Sequence, residues 1–346
     1  MLSLSTTSFR TKCTHRILSR FISNGSNAVN PNHSIYVSNS TNPYFNLSYE
    51  DWLFRHKDHK DPLLFMYRDE PCSGVPFIRR RSGGGTVYHD RGNTNFSIHL
   101  PRSSFDRHAT AQVVLRAVRS LGLDNAVVND RNDICIGKEK VSGSAYKIVN
   151  NRAYHHGTML ISTKLKDLGN LLHVNKPHLI ETKGVTSVRS PVTTLQQYNP
   201  VVSHSSFVEA VVECFRNEYG VDDPPHLVEE NEASSLEYVT RGMQELPSWD
   251  WAYGQTPEFT YKDTKSFKWG DIDAHIHSKH GVILDCSFTS RGELEGHRVK
   301  ELGELAIQFK GQKYGFLDDK LKSSASEGRI ARDVVEWIEC AMDGRE

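Results

Sequence analysis

Hydrophobic and polar residues alternate around Phe96, Ile98 and Leu100, which therefore share one face of a predicted strand. Apolar residues recur at helical spacing over residues 107–121, and Gly122 ends that run. Further strands are predicted at residues 63–67, 76–80, 86–89, 133–136, 140–149 and 152–162. Together these patterns predict an α+β fold in which helices flank a mixed β-sheet.

Capping residues predict two further helix starts. Ser48, followed by Asp51, is expected to begin a short helix. Ser206 with Glu209 is typical of a capping box in front of a second helix.

The chain is expected to form two domains, because its 346 residues exceed the roughly 250 at which a single core stops growing. After about residue 257 the pattern changes to short strands, predicted at 265–269, 271–278 and 281–288, and to a last helix with Ile330, Val334, Ile338 and Met342 on one stripe. We therefore predict a catalytic domain over residues 34–256 and a smaller α+β accessory domain over residues 257–346.

The first 33 residues differ in composition from the rest of the chain. They contain Arg10, Lys12, Arg16 and Arg20 and many Ser and Thr residues, and no acidic residue precedes Glu50. This composition is typical of a mitochondrial targeting segment, and a disordered basic tail is the alternative. Apolar residues never run to the roughly 20 that a membrane span needs, so no membrane partner is expected.

The overall charge is balanced, with 42 Lys and Arg against 42 Asp and Glu, and the mean hydropathy is −0.52. This balance is typical of a soluble globular protein and gives no field that would attract nucleic acid. The six cysteines occur singly, without a C-x-x-C pair, so we expect neither a structural zinc site nor a disulfide framework.

The segment RRRSGGGTVYHDRGN, residues 79–93, is the first candidate for chemistry. Three consecutive glycines expose backbone N–H groups to a ligand, and the arginines before them supply positive charge suited to phosphate or carboxylate. The alternative is a flexible glycine hinge beside a solvated basic patch, because a short glycine pattern is a weak signal by itself.

Lys140 is the second candidate, because it lies in a predicted strand beside the small residues 142–145. A ligand can approach a lysine closely in such surroundings, although most lysines are simply solvated. Asp133 precedes this strand and is a candidate Mg²⁺ ligand, since Mg²⁺ is often held by one or two carboxylates plus phosphate oxygens. A surface or turn role is the alternative for Asp133.

The positions of the histidines in the sequence do not predict a metal site. His155 and His156 are neighbours in a predicted strand, so their side chains point to opposite faces. His275 and His277 share a face, but a polar exterior explains them as well as a metal does. Lys183, in the segment KGVTSVRSPV, is expected to belong to a basic lid or to an ordinary loop.

Taken together and in this order, these segments resemble the lipoate-protein ligase (lipoyltransferase) family of the biotin and lipoate ligase superfamily. The matching segments are RR-x-SGGG-x-V-x-HD-x-GN at 79–93, ND-I at 132–134, KVSGSAYK at 140–147, HHGTML at 155–160 and KGVTSVRSPV at 183–192. SFKWG, at 266–270, resembles part of the family's accessory domain.

The resemblance implies a two-step reaction. ATP, with Mg²⁺, and the carboxylate of lipoate or octanoate form an acyl-adenylate, and the acyl group then passes to a carrier lysine. The implied partners are the lipoyl domains of 2-oxoacid dehydrogenase complexes and the glycine-cleavage carrier. ATP-independent transfer from an acylated carrier is the alternative within the family.

The resemblance also assigns site residues. Lys140 matches the lysine at the junction of carboxylate and α-phosphate. The nucleotide and adenylate site is expected to comprise Arg80, Gly83, Gly84, Gly85, Thr86, Val87, Tyr88, Asp133, Lys140 and Lys183. The acyl pocket is expected to comprise His89, Ser142, Gly143, His156 and Gly157.

One segment departs from the family pattern. Family members carry a strand and loop, typically with G-R-x-Q-N-P-W, where Cys72 here runs directly into Ser73. Its loss would remove part of the acyl-pocket wall and leave neighbouring strands unpaired. A protein that binds lipoyl domains without activating the acid is therefore a further alternative.

Overall fold

The computed structural model describes residues 33–70, 77–171, 179–182, 190–325 and 328–342. The strands are β1 (Ile35–Ser38), β2 (Leu63–Tyr67), β3 (Asn93–Pro101), β4 (Ala126–Val128), β5 (Ile134–Ile136), β6 (Glu139–Val149), β7 (Arg152–Leu160), β8 (Ile180–Thr182), β9 (His226–Val228), β10 (Phe259–Phe267), β11 (Gly270–Lys279) and β12 (Val282–Ser290). The helices are α1 (Pro43–His56), α2 (Arg107–Ser120), α3 (Leu165–Leu171), α4 (Leu195–Tyr198), α5 (His204–Tyr219), α6 (Glu237–Glu245), α7 (Trp249–Ala252), α8 (Gly296–Phe309), α9 (Asp319–Ala325) and α10 (Arg329–Met342). Within these ranges, none of the helices is long and apolar enough to cross a membrane.

The predicted mixed sheet is confirmed, with eight strands in the order β4-β5-β6-β7-β3-β2-β1-β9. β1 lies parallel to β2 and β9, and the other neighbours are antiparallel. The central strands β3 and β7 pair over nine residues, from Asn93 opposite Leu160 to Pro101 opposite Arg152. Both strands are buried along nearly their whole length, so side chains at the centre of the sheet face packed layers on both sides.

Helices cover both faces of this sheet. Phe96 and Ile98 pack with residues of α2 and α5 in the larger core. Phe65 packs on the other face with Tyr49 of α1 and Val239 of α6 in a second core. Full burial of one such side chain contributes about 2–3 kcal/mol to the stability of the fold. The apolar side chains that alternate along the strands therefore determine which face of the sheet each helix covers.

A second sheet, in the order β12-β11-β10-β8, forms the smaller α+β unit with α8, α9 and α10. Ile330, Val334 and Ile338 of α10 are buried in its core, which confirms the predicted apolar stripe of the last helix. β8 is far from this unit in sequence, yet its residue Ile180 pairs with Tyr261 of β10.

The strands predicted at 76–80 and 86–89 are wrong, because residues 77–92 contain no strand. Side chains rather than a neighbouring strand satisfy part of this backbone. Trp251 Nε1 donates to the Arg79 carbonyl at 2.7 Å, and the Arg80 guanidinium donates to the carbonyls of Gly83 and Gly85 at 2.8 and 2.9 Å. β-propensity alone does not make a strand where no ladder partner is present.

Both predicted helix starts lie too late in the sequence. Asn42 caps α1 by accepting from the N–H groups of Tyr44 and Phe45, and Pro43 occupies the first turn. In α5 the capping residue is Ser203, whose side chain accepts from Ser206 N, so Ser206 is the third helical residue rather than the cap. In each case the true cap is a Ser or Asn three to six residues earlier.

Candidate active site

A cleft of about 410 Å³ opens against the sheet face that α1 covers. Leu47 of α1 and Tyr67 of β2 form part of its apolar wall, and β6, β7 and residues 80–89 supply the polar remainder. A cleft of this size and composition is suited to a small organic ligand.

β6 contains a β-bulge next to Lys140. Cys135 of β5 is opposite Lys140, whereas Ile134 is opposite Ser142, so Val141 is an extra residue. Val141 is fully buried in the core beneath α2 and α5, while Lys140 lines the cleft on the other face. These two neighbouring side chains therefore lie on opposite faces of the sheet, and Lys140 is the one that faces the cleft.

The ammonium group of Lys140 is paired with Asp133. Its Nζ lies 3.1 Å from Oδ1 of Asp133, whose side chain is only 4% exposed. Oδ2 of Asp133 is buried without a hydrogen-bond partner among the described residues, and the Arg131 guanidinium lies 3.8 Å away. An unsatisfied buried carboxylate oxygen is costly, so this oxygen is suited to accept a ligand donor or a cation.

The surroundings of Lys140 restrict its orientation. Its backbone N–H donates to the Pro191 carbonyl at 2.8 Å, and its carbonyl accepts from Thr193 N at 3.0 Å. A Cβ atom added at Gly143 would lie 3.2 Å from both Cε and Nζ of Lys140. Glycine at 143 therefore leaves the space that the lysine side chain uses.

Arg80 organises the glycine segment. Its Nε donates to Ser82 Oγ at 2.9 Å, in addition to the two bonds to the carbonyls of Gly83 and Gly85. Gly84 has a φ of +99°, and a Cβ there would lie 2.8 Å from the Arg80 guanidinium. Burial lowers the pKa of Arg80 from its ordinary value, but a guanidinium remains charged.

His156 connects this segment to α1. Its Nδ1 lies 3.1 Å from Oε1 of the buried Glu50, and its Nε2 lies 3.0 Å from Ser82 Oγ. The next residue, Gly157, cannot be replaced without movement, because an added Cβ would lie 2.4 Å from the Phe96 ring. These contacts restrict the conformation of His156 and Gly157, which form the floor of the cleft.

His155 lies on the opposite side of the sheet, which confirms that the two neighbouring histidines do not share a site. Its Nδ1 lies 2.9 Å from Thr110 Oγ1 and its Nε2 lies 2.9 Å from Ser144 Oγ. Burial, with a smaller contribution from His156, lowers the pKa of His155 to about 3, so its ring is neutral. Over the described ranges, no group of three His, Cys, Asp or Glu side chains is placed to hold a metal.

A second acid–imidazole pair borders the cleft. Nδ1 of His89 lies 2.9 Å from Oδ2 of Asp69, which also accepts from Asn95 Nδ2 at 3.1 Å. Asn46 Nδ2 donates to the other oxygen at 3.0 Å. Sequence reasoning missed Asp69 and Glu50. The position of Asp69 just past the end of β2, after Arg68, was the available signal for Asp69. Glu50 gave no signal, because a glutamate within a helix is usually a surface residue.

A buried ion network holds the cleft wall together at Asp51. Lys147 Nζ lies 2.6 Å from Asp51 Oδ1, Arg55 Nε lies 2.8 Å from Oδ2, and Tyr238 donates to Oδ2. Burial would raise the pKa of Asp51, but the hydrogen bonds from Lys147, Tyr238 and Arg55, with the charge of Lys147, lower it below its ordinary value. Arg81 also reaches Asp51 and so ties residues 77–92 to α1.

The predicted site residues converge to a large extent. Those that line the cleft are Arg80, Gly84, Gly85, Thr86, Val87, His89, Asp133, Lys140, Gly143, His156 and Gly157. Gly83, Tyr88 and Ser142 are not part of its lining, and Ser142 is buried beside the bulge. Lys183 lies outside the described residues.

Two family models match the chain. The Lipoyl protein ligase A/B catalytic domain matches residues 73–216, and the Bacterial lipoate protein ligase C-terminus matches residues 256–326. A lipoate-protein ligase A of Psychrobacter cryohalolentis is 32% identical over 338 residues, which cover 90% of this chain and 99% of the relative.

Solved structures of lipoate ligases share the fold. LipL1 of P. falciparum, solved with lipoate, has a TM-score of 0.52 at 23% identity and covers 88% of this chain and 98% of its own. A lipoate-protein ligase A bound with ATP has a TM-score of 0.50 at 22% identity, with coverages of 64% and 98%. A bipartite lipoate protein ligase of Thermoplasma acidophilum, reported with its E2 lipoyl domain, has a TM-score of 0.51 at 23% identity, with coverages of 64% and 96%.

Proposed function

The chain belongs to the lipoate-protein ligase family, and from this membership we propose that it uses ATP to convert lipoate or octanoate into an acyl-adenylate and transfers the acyl group to a lysine of a lipoyl carrier domain. The observation that carries the proposal is the position of Lys140. Its ammonium is fixed in a ligand-sized cleft beside backbone that carries no side chains at Gly84, Gly85 and Gly143.

Adenylate formation brings a carboxylate and the α-phosphate into contact. Two unit negative charges 4 Å apart repel by about 4 kcal/mol at an effective dielectric constant of about 20. A cation held in advance between them offsets this repulsion without further reorganisation. Lys140 supplies that cation, and Arg80 and Arg131 add positive charge along the same cleft.

The buried carboxylate of Asp133 is suited to hold Mg²⁺. Its buried Oδ2 lacks a hydrogen-bond partner among the described residues, and a single carboxylate with phosphate oxygens is a usual Mg²⁺ environment. Asp133 would hold the ion, which would neutralise phosphate charge. Its other oxygen, Oδ1, stays paired with Lys140.

The apolar part of the cleft is suited to the acyl chain. Leu47 and Tyr67 line it, and burial raises the pKa of Tyr67 well above its ordinary value, so the phenol is uncharged. An aliphatic chain against these side chains would gain about 0.8 kcal/mol for each CH₂ group removed from water.

The proposed acceptors are lipoyl domains of 2-oxoacid dehydrogenase complexes and the glycine-cleavage carrier. The T. acidophilum ligase that shares this fold was reported with an E2 lipoyl domain, which supports a carrier of that type. The basic first 33 residues support a mitochondrial location, although residues 1–32 lie outside the described part of the chain. A fluorescent protein fused to residues 1–33 tests the location, and a diffuse signal would exclude it.

Pyrophosphate release from free lipoate, ATP and Mg²⁺ tests the proposed activation step. We expect release that depends on all three. Absence of release, together with lipoylation from an acylated carrier, would instead establish ATP-independent transfer. Carrier binding without either activity, in a protein that unfolds cooperatively, would indicate a binding protein that has lost the activation step. The expected cause is the family segment predicted to be missing between Cys72 and Ser73, a junction that lies outside the described residues.

A further inference from the structure

His89 presents one ring nitrogen that has no partner among the described residues. Its Nδ1 is bound to Asp69 at 2.9 Å, whereas Nε2 is buried and unsatisfied. His89 lines the same cleft as Lys140. Because an unpaired buried polar atom is destabilising, the position of Nε2 is accounted for if a ligand atom forms a hydrogen bond with it.

Asp69 fixes the tautomer of this ring. It is 3% exposed and accepts hydrogen bonds from Asn46 and Asn95 as well as from His89. An ionised carboxylate only accepts, so Nδ1 of His89 carries the proton and Nε2 of the neutral ring is an acceptor. Among the described residues, His89 is the only ion-pair partner of Asp69. A proton taken up by the His89 ring would therefore give the Asp69 carboxylate a positively charged neighbour.

The acyl transfer step that we proposed above requires a proton acceptor. The acceptor lysine is an ammonium ion at neutral pH, and with an ordinary pKa of about 10.4 only about one in 2,500 is neutral at pH 7. The other cleft imidazole, His156, has both ring nitrogens engaged, with Glu50 and with Ser82. Lys140 is paired with Asp133 as a cation and has no lone pair to offer.

We propose that His89, oriented by Asp69, is the general base that takes the proton from the carrier lysine. The ammonium gives one proton to His89 Nε2, and the neutral amine forms the C–N bond to the acyl carbon. The C–O bond to AMP breaks and its electron pair leaves with the phosphate. The second amine proton is lost as the adduct collapses and passes to the departing phosphate or to water.

Two half-reactions separate this role from a structural one. Pyrophosphate release reports activation, and single-turnover transfer from the preformed adenylate to an apo-lipoyl domain reports aminolysis. Hydroxylamine, which is uncharged at neutral pH, is a second nucleophile that needs no deprotonation before attack. This inference rests on the proposed function, so wild-type pyrophosphate release is measured first.

His89→Asn keeps a donor for Asp69 but removes the Nε2 acceptor, and His89→Gln is the second variant if His89→Asn fails to fold. We expect transfer to lysine to fall by about 100-fold or more, in line with loss of a general base. The loss is expressed relative to hydroxylamine capture by the same variant, so that any effect of His89 on acyl binding, which pyrophosphate release reports, cancels; this ratio should fall by about 100-fold. The variant's transfer rate should rise about tenfold per pH unit between about pH 7 and 9, following the neutral fraction of lysine.

His277→Gln is the matched control, because His277 forms a comparable pair with Glu258 at 2.9 Å in the C-terminal unit, away from the cleft. Its transfer rate should equal that of wild type. Unchanged lysine transfer in the His89 variants, or an equal loss of lysine and hydroxylamine transfer, would overturn the role of His89 alone. Absence of pyrophosphate release from wild type would overturn the proposed function, and this inference with it.

Discussion

Replacing Lys140 by alanine removes the cation that we place between the two anionic reactants. The variant leaves Asp133 with only the Arg131 guanidinium at 3.8 Å as a charged neighbour among the described residues. The repulsion between the two reactants is about 4 kcal/mol at 4 Å. Loss of one preorganised charge stabiliser raises a barrier by about 2.7 kcal/mol or more, which lies within that repulsion. Adenylate formation should therefore slow by about 100-fold.

The assay is single-turnover release of pyrophosphate at saturating lipoate, ATP and Mg²⁺, with thermal unfolding as the test of folding. Lys138→Ala is the control, because Lys138 is exposed, does not line the cleft and is only two residues away. It should keep the wild-type rate. A Lys140→Ala protein that unfolds like wild type and releases pyrophosphate within about threefold of its rate would refute the electrostatic argument.

Three further outcomes test the packing and charge of the site. Gly157→Ala should lower the free energy of unfolding by about 2–3 kcal/mol in denaturant titrations, because its Cβ would meet the Phe96 ring at 2.4 Å, whereas Gly169→Ala, with open space around it, should not be destabilising. The folded pKa of His155 is about 3 and the unfolded value is 6.5, so the unfolded state takes up the proton first as the pH falls. His155 alone should therefore lower the free energy of unfolding by about 2–3 kcal/mol between about pH 7.5 and 4.5. A His155→Gln variant whose stability depends on pH in the same way would contradict this. Asp51→Asn should destabilise the fold by about 3 kcal/mol at pH 7. Because the folded pKa of Asp51 lies below its ordinary value of 3.8, this difference should persist above about pH 4 and should shrink only as the pH falls below 3.8 through the folded pKa; equal stability at pH 7 would show that its network contributes little.

Local periodicity predicted most of the regular structure. The apolar alternation of β3 and the stripe of α10 each bury a contiguous face, so their assignment depends only on residues close in sequence. The strand predicted at residues 86–89 is wrong, because these residues have high β-propensity but no neighbouring strand pairs with them. The start of α1 was predicted wrongly for a different reason: Ser48 and Asp51 have residue types common at a helix start, but they lie inside a helix that Asn42 caps.

The candidate site was predictable in its residue types but not in its geometry. Lys140 and the glycine segment are recognisable motifs, whereas the β-bulge at Val141, next to Lys140, depends on pairing with β5. Asp69 and Glu50 are likewise far in sequence from the histidines that they contact. Buried polar pairs of this kind form through tertiary structure, and a single sequence carries no local periodic signal for them.

The intact mass of an apo-lipoyl domain, measured after incubation with this protein, lipoate, ATP and Mg²⁺, tests the central claim most directly. The account predicts an increase equal to one lipoyl group, which is lost when ATP is omitted or when the carrier lysine is replaced, and which forms about 100-fold more slowly with Lys140→Ala. An unmodified carrier with folded wild-type protein, or equal modification by wild type and Lys140→Ala, would contradict it.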